Sequence, residues 1–204
     1  MTTSPEKTYG GLGAGERQAA RRTALREAAL GLIATGGTTA ATVNSVCAAA
    51  GLNKRYFYES WATRDALLVD LLTSFFDDFY ARTTSEIVDV PTEVSERLRH
   101  AVRSLLATLE AEPGMARLYA EAESEPALLE LRTAAFDRFT GLFGAVADLD
   151  PAVPSTRFAL YALVSGVTEA LTHWLRGDPA DLSRDEVVET SVRLCLAAIA
   201  VASH

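Results

Sequence analysis

Cysteine and histidine are scarce in this chain, two and three among 204 residues. Cys47 and Cys195 stand far apart, each among apolar neighbours, so two buried free thiols fit better than a disulfide or a pair of metal ligands. Glu96 with His100, and Glu169 with His173, share helix faces at four-residue spacing. Two such faces could build a metal site only by meeting, and carboxylate-rich dinuclear bundles use three-residue spacing with more acids. Ion pairs are therefore the better reading, and no metal or cofactor is expected. The chain has no glycine-rich phosphate loop, no nucleophile elbow and no usefully spaced cysteine–histidine pair, which argues against an enzyme. It lacks any apolar run near the ~20 residues that span a bilayer, so no membrane partner is expected. Residues 1–15 are polar and glycine-rich without the apolar core of a signal peptide, and read as a disordered arm. A cytoplasmic location follows as the expectation. No segment alternates with a period of two for long enough to form a strand, so the fold class is all-α.

What is present is an apolar supply of 49%, enough for a substantial core. Punctuation divides it into about nine helices. The first spans residues 16–34 and stops at Gly36 and Gly37; the fourth runs from about Thr63 to Ser85. Pro91 opens a fifth, which ends before Pro113 and Gly114, and a sixth covers residues 115–123. Pro126 suits the first position of a seventh that fades near Asp148. Pro151 and Pro154 precede an eighth, closed by Gly177, Asp178 and Pro179. Ser183 and Glu186 form a capping box for the ninth.

Between the first and fourth helices, residues 42–58 carry the most specific pattern. The Thr42 hydroxyl is placed to cap a short helix, on which Val43, Val46 and Ala50 form one apolar face. Gly51 permits a left-handed turn, Leu52 fills the corner, and Asn53 can cap a second helix. That second helix exposes Lys54, Arg55, Tyr56 and Tyr58 while Phe57 anchors it, a shape suited to the DNA major groove. Two helices of an ordinary core, with the cations on a solvated face, would share this spacing.

The residues that follow decide between the two. Phe57 and Tyr58, then Trp61, then Arg64 opening the long fourth helix, resemble the signature of tetracycline-repressor-like (TetR) transcriptional regulators. Arg22 to Gly37 is similar to that family's first helix and its glycine exit, and Ala40 to Leu52 to its second helix. The likeness covers residues 17–72. It implies that Thr42, Tyr58 and Arg64 hold the DNA backbone, while Lys54, Arg55 and Tyr56 read base edges. Many members carry small residues where this chain has Arg55 and Tyr56, so its base contacts should differ from theirs. Arg64 stands where lysine is usual, and either can hold a phosphate. The resemblance implies a head over residues 16–62 and a body over residues 63–204 for ligand binding and dimerisation. It also implies a double-stranded operator, repression as the usual mode, and release by a small-molecule inducer.

Charge is divided in the same way. Residues 1–72 hold eight cations against six carboxylates, whereas the remainder holds eleven against twenty-one, for a total of -8. A mildly basic head on an acidic body suits contact with DNA through one end, without any general basic coat, and disfavours a sequence-independent architectural binder. The competing reading is an all-helical protein that binds a small molecule or metal, or an enzyme, without DNA recognition.

The last two helices point to a homodimer. Leu160, Val164, Val167, Leu171 and Trp174 follow a four-three spacing, with Phe158, Tyr161 and Leu175 on another side. Residues 194–202 are apolar all round, which requires burial on every side. A four-helix interface using Leu160, Val164, Val167, Leu171, Leu194 and Ala198 is the expectation, with a two-fold axis setting two recognition helices ~34 Å apart. For the inducer, the lining candidates are Phe79, Arg103, Tyr119, Glu123, Phe139, Tyr161 and Trp174, an aromatic set with a few polar groups.

Overall fold

The computed structural model describes residues 13–87, 93–147, 149–176 and 181–202. Among them run nine helices: α1 (Ala14–Gly36), α2 (Val43–Ala50), α3 (Lys54–Tyr58), α4 (Arg64–Ile87), α5 (Val94–Ala111), α6 (Pro113–Glu121), α7 (Pro126–Val146), α8 (Pro154–Leu175) and α9 (Arg184–Ala202). Single 3-10 turns, Thr38–Ala40 and Ala122–Ser124, follow α1 and α6. No strand occurs among the described residues.

Proline and capping chemistry set most boundaries. Pro113, Pro126 and Pro154 each occupy a first helical turn, where the missing amide costs nothing. Using Pro113 in this way starts α6 before the expected Met115, and its end tightens into the 3-10 turn. At α9, the Ser183 amide and hydroxyl both donate to Glu186 Oε2, at 2.9 and 2.6 Å, and the Glu186 amide returns a bond to Ser183 Oγ. Helix α1 begins earlier than expected, the Gly13 amide donating to Glu16 at 2.6 Å, so Ala14 and Gly15 belong to the helix and not to an arm. The rest of the arm that the sequence suggested, residues 1–12, lies outside the described residues, as do Pro91, Asp148 and the stop at Gly177, Asp178 and Pro179.

One apolar core runs from α1 to α7. In the head, Leu25, Ala29 and Ile33 of α1 meet Val46, Phe57 and Trp61; in the body, Leu67, Leu68, Leu71 and Leu72 of α4 lead to Phe75, Phe76, Leu118 and Tyr119. Full burial of a side chain such as Phe57 contributes about 1.5–3 kcal/mol. Smaller clusters join α5, α8 and α9 through Leu98, Leu163, Val192 and Cys195, and through Val102, Leu106, Leu171 and Val188.

The head is also tied to the body at close quarters. A Cβ at Gly114 of α6 would stand 2.2 Å from the Leu30 carbonyl oxygen of α1, so only glycine allows this approach. Arg22 and Arg26 of α1 both donate to Asp70 of α4. The Thr38 amide and hydroxyl donate to Glu121 Oε2 at 2.7 and 2.9 Å, and Arg117 Nε donates to the other oxygen at 2.8 Å. Burial pushes the Glu121 carboxyl up, but these donors together outweigh it and hold the group below the usual carboxylate range.

Candidate nucleic-acid interface

The turn between α2 and α3 is built by side-chain caps and one glycine. Thr42 Oγ1 accepts from the Ser45 amide at 3.1 Å, and Ser45 Oγ accepts from the Thr42 amide at 2.9 Å. Gly51 ends α2 in the left-handed region, at φ 65°, and the Leu52 amide donates back to Cys47 O at 2.9 Å. Asn53 Oδ1 then accepts from the Tyr56 amide at 3.4 Å and opens α3. Burial raises the Cys47 thiol pKa, opposed by the nearby Lys54 charge, so the thiol is a neutral core group.

Helix α3 has one anchored face and one free face. Phe57 is wholly buried and packs on Trp61, with ring centroids 5.5 Å apart. Lys54 and Tyr58 are exposed, and the Arg55 side chain retains 83% of its accessible surface. Arg55 Nε donates to Glu59 at 3.1 Å, an exposed i,i+4 pair of a few tenths of a kcal/mol that DNA phosphates and bases can replace. Thr42, at the start of α2, is exposed as well.

Two of the residues expected at DNA also have partners within the protein. Tyr56 is half-buried, with the Arg21 guanidinium 4.4 Å from its ring centroid. Arg21 also lies 3.6 Å from Glu59, so α1 braces α3 through Tyr56 and Glu59. The sequence does not signal this role for Arg21, because it depends on α1 and α3 approaching in space. Arg64, expected on the DNA backbone, donates instead to Glu125 at 3.0 Å, to Thr38 O at 2.8 Å and to Asp65 at 3.1 Å. The bond to Glu125 raises the Arg64 pKa, and the same bond holds the Glu125 carboxyl below its ordinary range. With its donors engaged and 26% of its side chain accessible, Arg64 is a strut between head and body.

Comparison with known proteins agrees with this geometry. Residues 25–71 match the family model for bacterial regulatory proteins of the tetR family. Residues 25–71 thus carry a DNA-binding head of the tetR type. The chain is a DNA-binding transcriptional regulator, with an all-α helix-turn-helix head and a helical body. A search of curated proteins returned no match. Among solved structures, the fatty acid degradation regulator FadR from Bacillus halodurans is similar at 20% identity and a TM-score of 0.70, covering 85% of this chain and 97% of that one. FadR from Bacillus subtilis, in complex with stearoyl-CoA, gives 16% identity and a TM-score of 0.65, over 87% and 97% of the two chains. A tetR-family transcriptional regulator from Streptomyces coelicolor gives 17% identity and a TM-score of 0.71, over 94% and 84%. At these identities the neighbours establish the fold.

The body encloses a small cavity of about 60 Å³ between α4, α5, α6, α7 and α8, with Cys195 of α9 also at its wall. Phe79, Tyr119 and Phe139 line it, as the sequence suggested. Four other candidates do not. Arg103 is exposed and lies 3.7 Å from Asp185; Glu123 is exposed and pairs with Arg132 at 3.2 Å. Tyr161 is more than a third exposed and meets Phe136 edge-on, and Trp174 Nε1 donates to Leu182 O at 2.9 Å. Thr83 and Thr168 take the polar positions that the sequence reading missed. Thr83 is legible in retrospect, four residues after Phe79 on the same helical face.

The α8 stripe is also corrected. Leu160, Val164 and Leu171 are buried in the chain's own core, and Val167 is half-buried beside them. The most exposed large apolar residues of α8 and α9 are Phe158 at 77%, Leu194 at 55% and Val201 at 74%. Phe158 and Val201 line a shallow groove with Ala159, Ala162, Ala197 and Ala198, and Leu194 lies on the same helix as Val201. The four-three spacing identified a real apolar stripe and assigned it to the wrong side. His100 pairs with Glu86 at 2.7 Å rather than with Glu96, which is taken by Arg99 at 2.6 Å. Among the described residues, no group of three potential ligands could hold a metal ion, and no helix is long and apolar enough to cross a membrane.

Proposed function

We propose that the chain acts as a dimeric repressor, whose two α3 helices read a palindromic operator and which a small lipophilic ligand releases. The observation that carries base recognition is the pairing of exposed Lys54 and Arg55 with wholly buried Phe57 on one short helix. The core holds the helix while its cations face outward, where arginine to guanine is the commonest specific contact. Lys54, Arg55 and the exposed face of Tyr56 are assigned to bases. Thr42 and Tyr58 are assigned to the phosphate backbone.

Dimerisation supplies the second half-site. Phe158, Leu194 and Val201 are large apolar groups left in water by a single chain, and the alanines between them permit close helix approach. A second copy packed on this face by a two-fold axis covers both sets of residues. Two α3 helices one duplex turn apart, ~34 Å, then meet two inverted half-sites.

Release is assigned to the body cavity. At about 60 Å³ it is well below the ~300–1,000 Å³ typical of ligand sites, so a ligand must push its walls apart. Phe75, Phe76 and Phe79 in that wall belong to α4, whose first turns are locked to the head by Asp70 and Arg64. Displacing α4 therefore moves the head. A ligand preferring the expanded state a hundredfold shifts the equilibrium by about 2.7 kcal/mol. The stearoyl-CoA bound to the Bacillus subtilis neighbour is a precedent for a lipophilic ligand in this fold. In vitro selection from random duplexes tests the reading: an enriched inverted repeat supports it, and failure to enrich any sequence overturns it.

A further inference from the structure

The cavity has a chemical character beyond being apolar. Six of its lining residues are phenylalanines, Phe75, Phe76, Phe79, Phe136, Phe139 and Phe143, and none of its lining residues is charged. Its polar atoms are few, and two are buried without a hydrogen-bond partner: Thr83 Oγ1 and Tyr119 Oη. Thr83 is 3% exposed and Tyr119 4%. A hydroxyl buried without a partner carries a desolvation cost that a bound partner relieves. Burial also pushes the Tyr119 phenol up to about 12, tempered by nearby Thr168 and Arg132, so it remains a neutral donor at physiological pH.

Arg132, which acts on Tyr119 without lining the cavity, has its charge opposed twice. Its guanidinium donates to Glu169 at 2.9 Å and pairs with Glu123 at 3.2 Å, and only its buried Nε lacks a partner. An anionic ligand entering here would find no cation among the lining residues and would face that excess of negative charge. Flat aromatic rings, by contrast, fit edge-on or offset among the phenylalanines.

We infer that the body takes an uncharged, aromatic ligand bearing a hydroxyl or carbonyl group, which Tyr119 Oη and Thr83 Oγ1 receive by hydrogen bonds. This rests on the reading of the body as ligand-responsive, and specifies its ligand as neutral and ring-bearing rather than an acid or a phosphate-bearing ester.

The test uses three matched probes on the full-length protein: 2-naphthol, naphthalene and 2-naphthoate, titrated calorimetrically against wild type, Tyr119→Phe and Thr83→Val. Naphthol should bind most tightly, with naphthoate weaker by about tenfold or more because its charge must be desolvated with no lining cation to neutralise it. Each substitution should weaken naphthol by about three- to tenfold, the range of one hydrogen bond, and leave naphthalene unchanged. Thermal melts of both variants identify any that fails to fold, and the other then carries the comparison. Naphthoate binding as tightly as naphthol, naphthol affinity unmoved in both variants, or binding by none of the probes would overturn the inference. Operator release is scored separately: naphthol binding without release upholds this ligand chemistry and counts only against the proposed coupling.

Discussion

Arg64 at the start of α4 donates to Glu125 at the start of α7 at 3.0 Å, and the same guanidinium holds the Thr38 carbonyl at 2.8 Å. One side chain thus fastens the turn after α1, the long α4 and the body. Any shift of α4 that moves the head must break or carry this contact.

Glu125→Gln should lower thermal stability at neutral pH by a few degrees, the equivalent of about 1–2 kcal/mol for a partly buried charge-assisted pair in a chain of this size. The dependence on pH has a defined sign. The Arg64 bond depresses the folded Glu125 pKa, so the stabilisation is complete above the unfolded value of about 4.3 and disappears as pH falls through the folded value. The difference in melting temperature between wild type and variant should therefore shrink below about pH 4. A gap unchanged on acidification would contradict the assignment.

Gly114→Ala should destabilise the junction of head and body. Its new Cβ would meet the Leu30 carbonyl at 2.2 Å, and neither backbone can yield cheaply. A loss of about 1–3 kcal/mol in chemical denaturation is expected. Gly51→Ala should cost less, about 1 kcal/mol, because the strain lies in its φ of 65° and nothing crowds the site.

Phe158→Glu and Leu194→Glu should dissociate the proposed dimer and reduce operator affinity with it, as read by sedimentation and by DNA titration of the same samples. An intact dimer in both variants would place the interface elsewhere. Leu160→Glu is the informative contrast: Leu160 is 1% exposed within the protomer, so this substitution should unfold the chain instead.

How far the sequence speaks varies with the kind of residue. The caps at Thr42, Asn53 and Ser183, the left-handed Gly51 and the buried Phe57 all act within a few positions of themselves, so local pattern suffices to find them. Residues whose roles depend on packing between distant segments are less legible. Helix periodicity marks Leu160, Val164 and Leu171 as a face but does not say what covers it, since core and partner are equally apolar. Arg64 had the charge for a phosphate, and only the approach of Glu125, 61 positions later, gives it another role. Arg103 lies on α5, which borders the cavity, but points away from it, a distinction set by helix rotation, and Glu123 falls in the 3-10 turn after α6.

Tyr58→Phe should weaken binding to every duplex alike, because a lost phosphate contact carries no sequence information. Lys54→Ala, by contrast, should weaken operator binding more than binding to a scrambled duplex in the same titration, because a base contact carries sequence information.

The most direct measurement is to repeat the duplex selection with Arg55→Ala beside wild type. Wild type should enrich an inverted repeat, and the variant should enrich the same repeat with preference relaxed at one symmetric position per half-site, at a cost of about 1–3 kcal/mol there. An identical preference from both proteins would show that α3 does not read bases through Arg55, and would contradict the account at its centre.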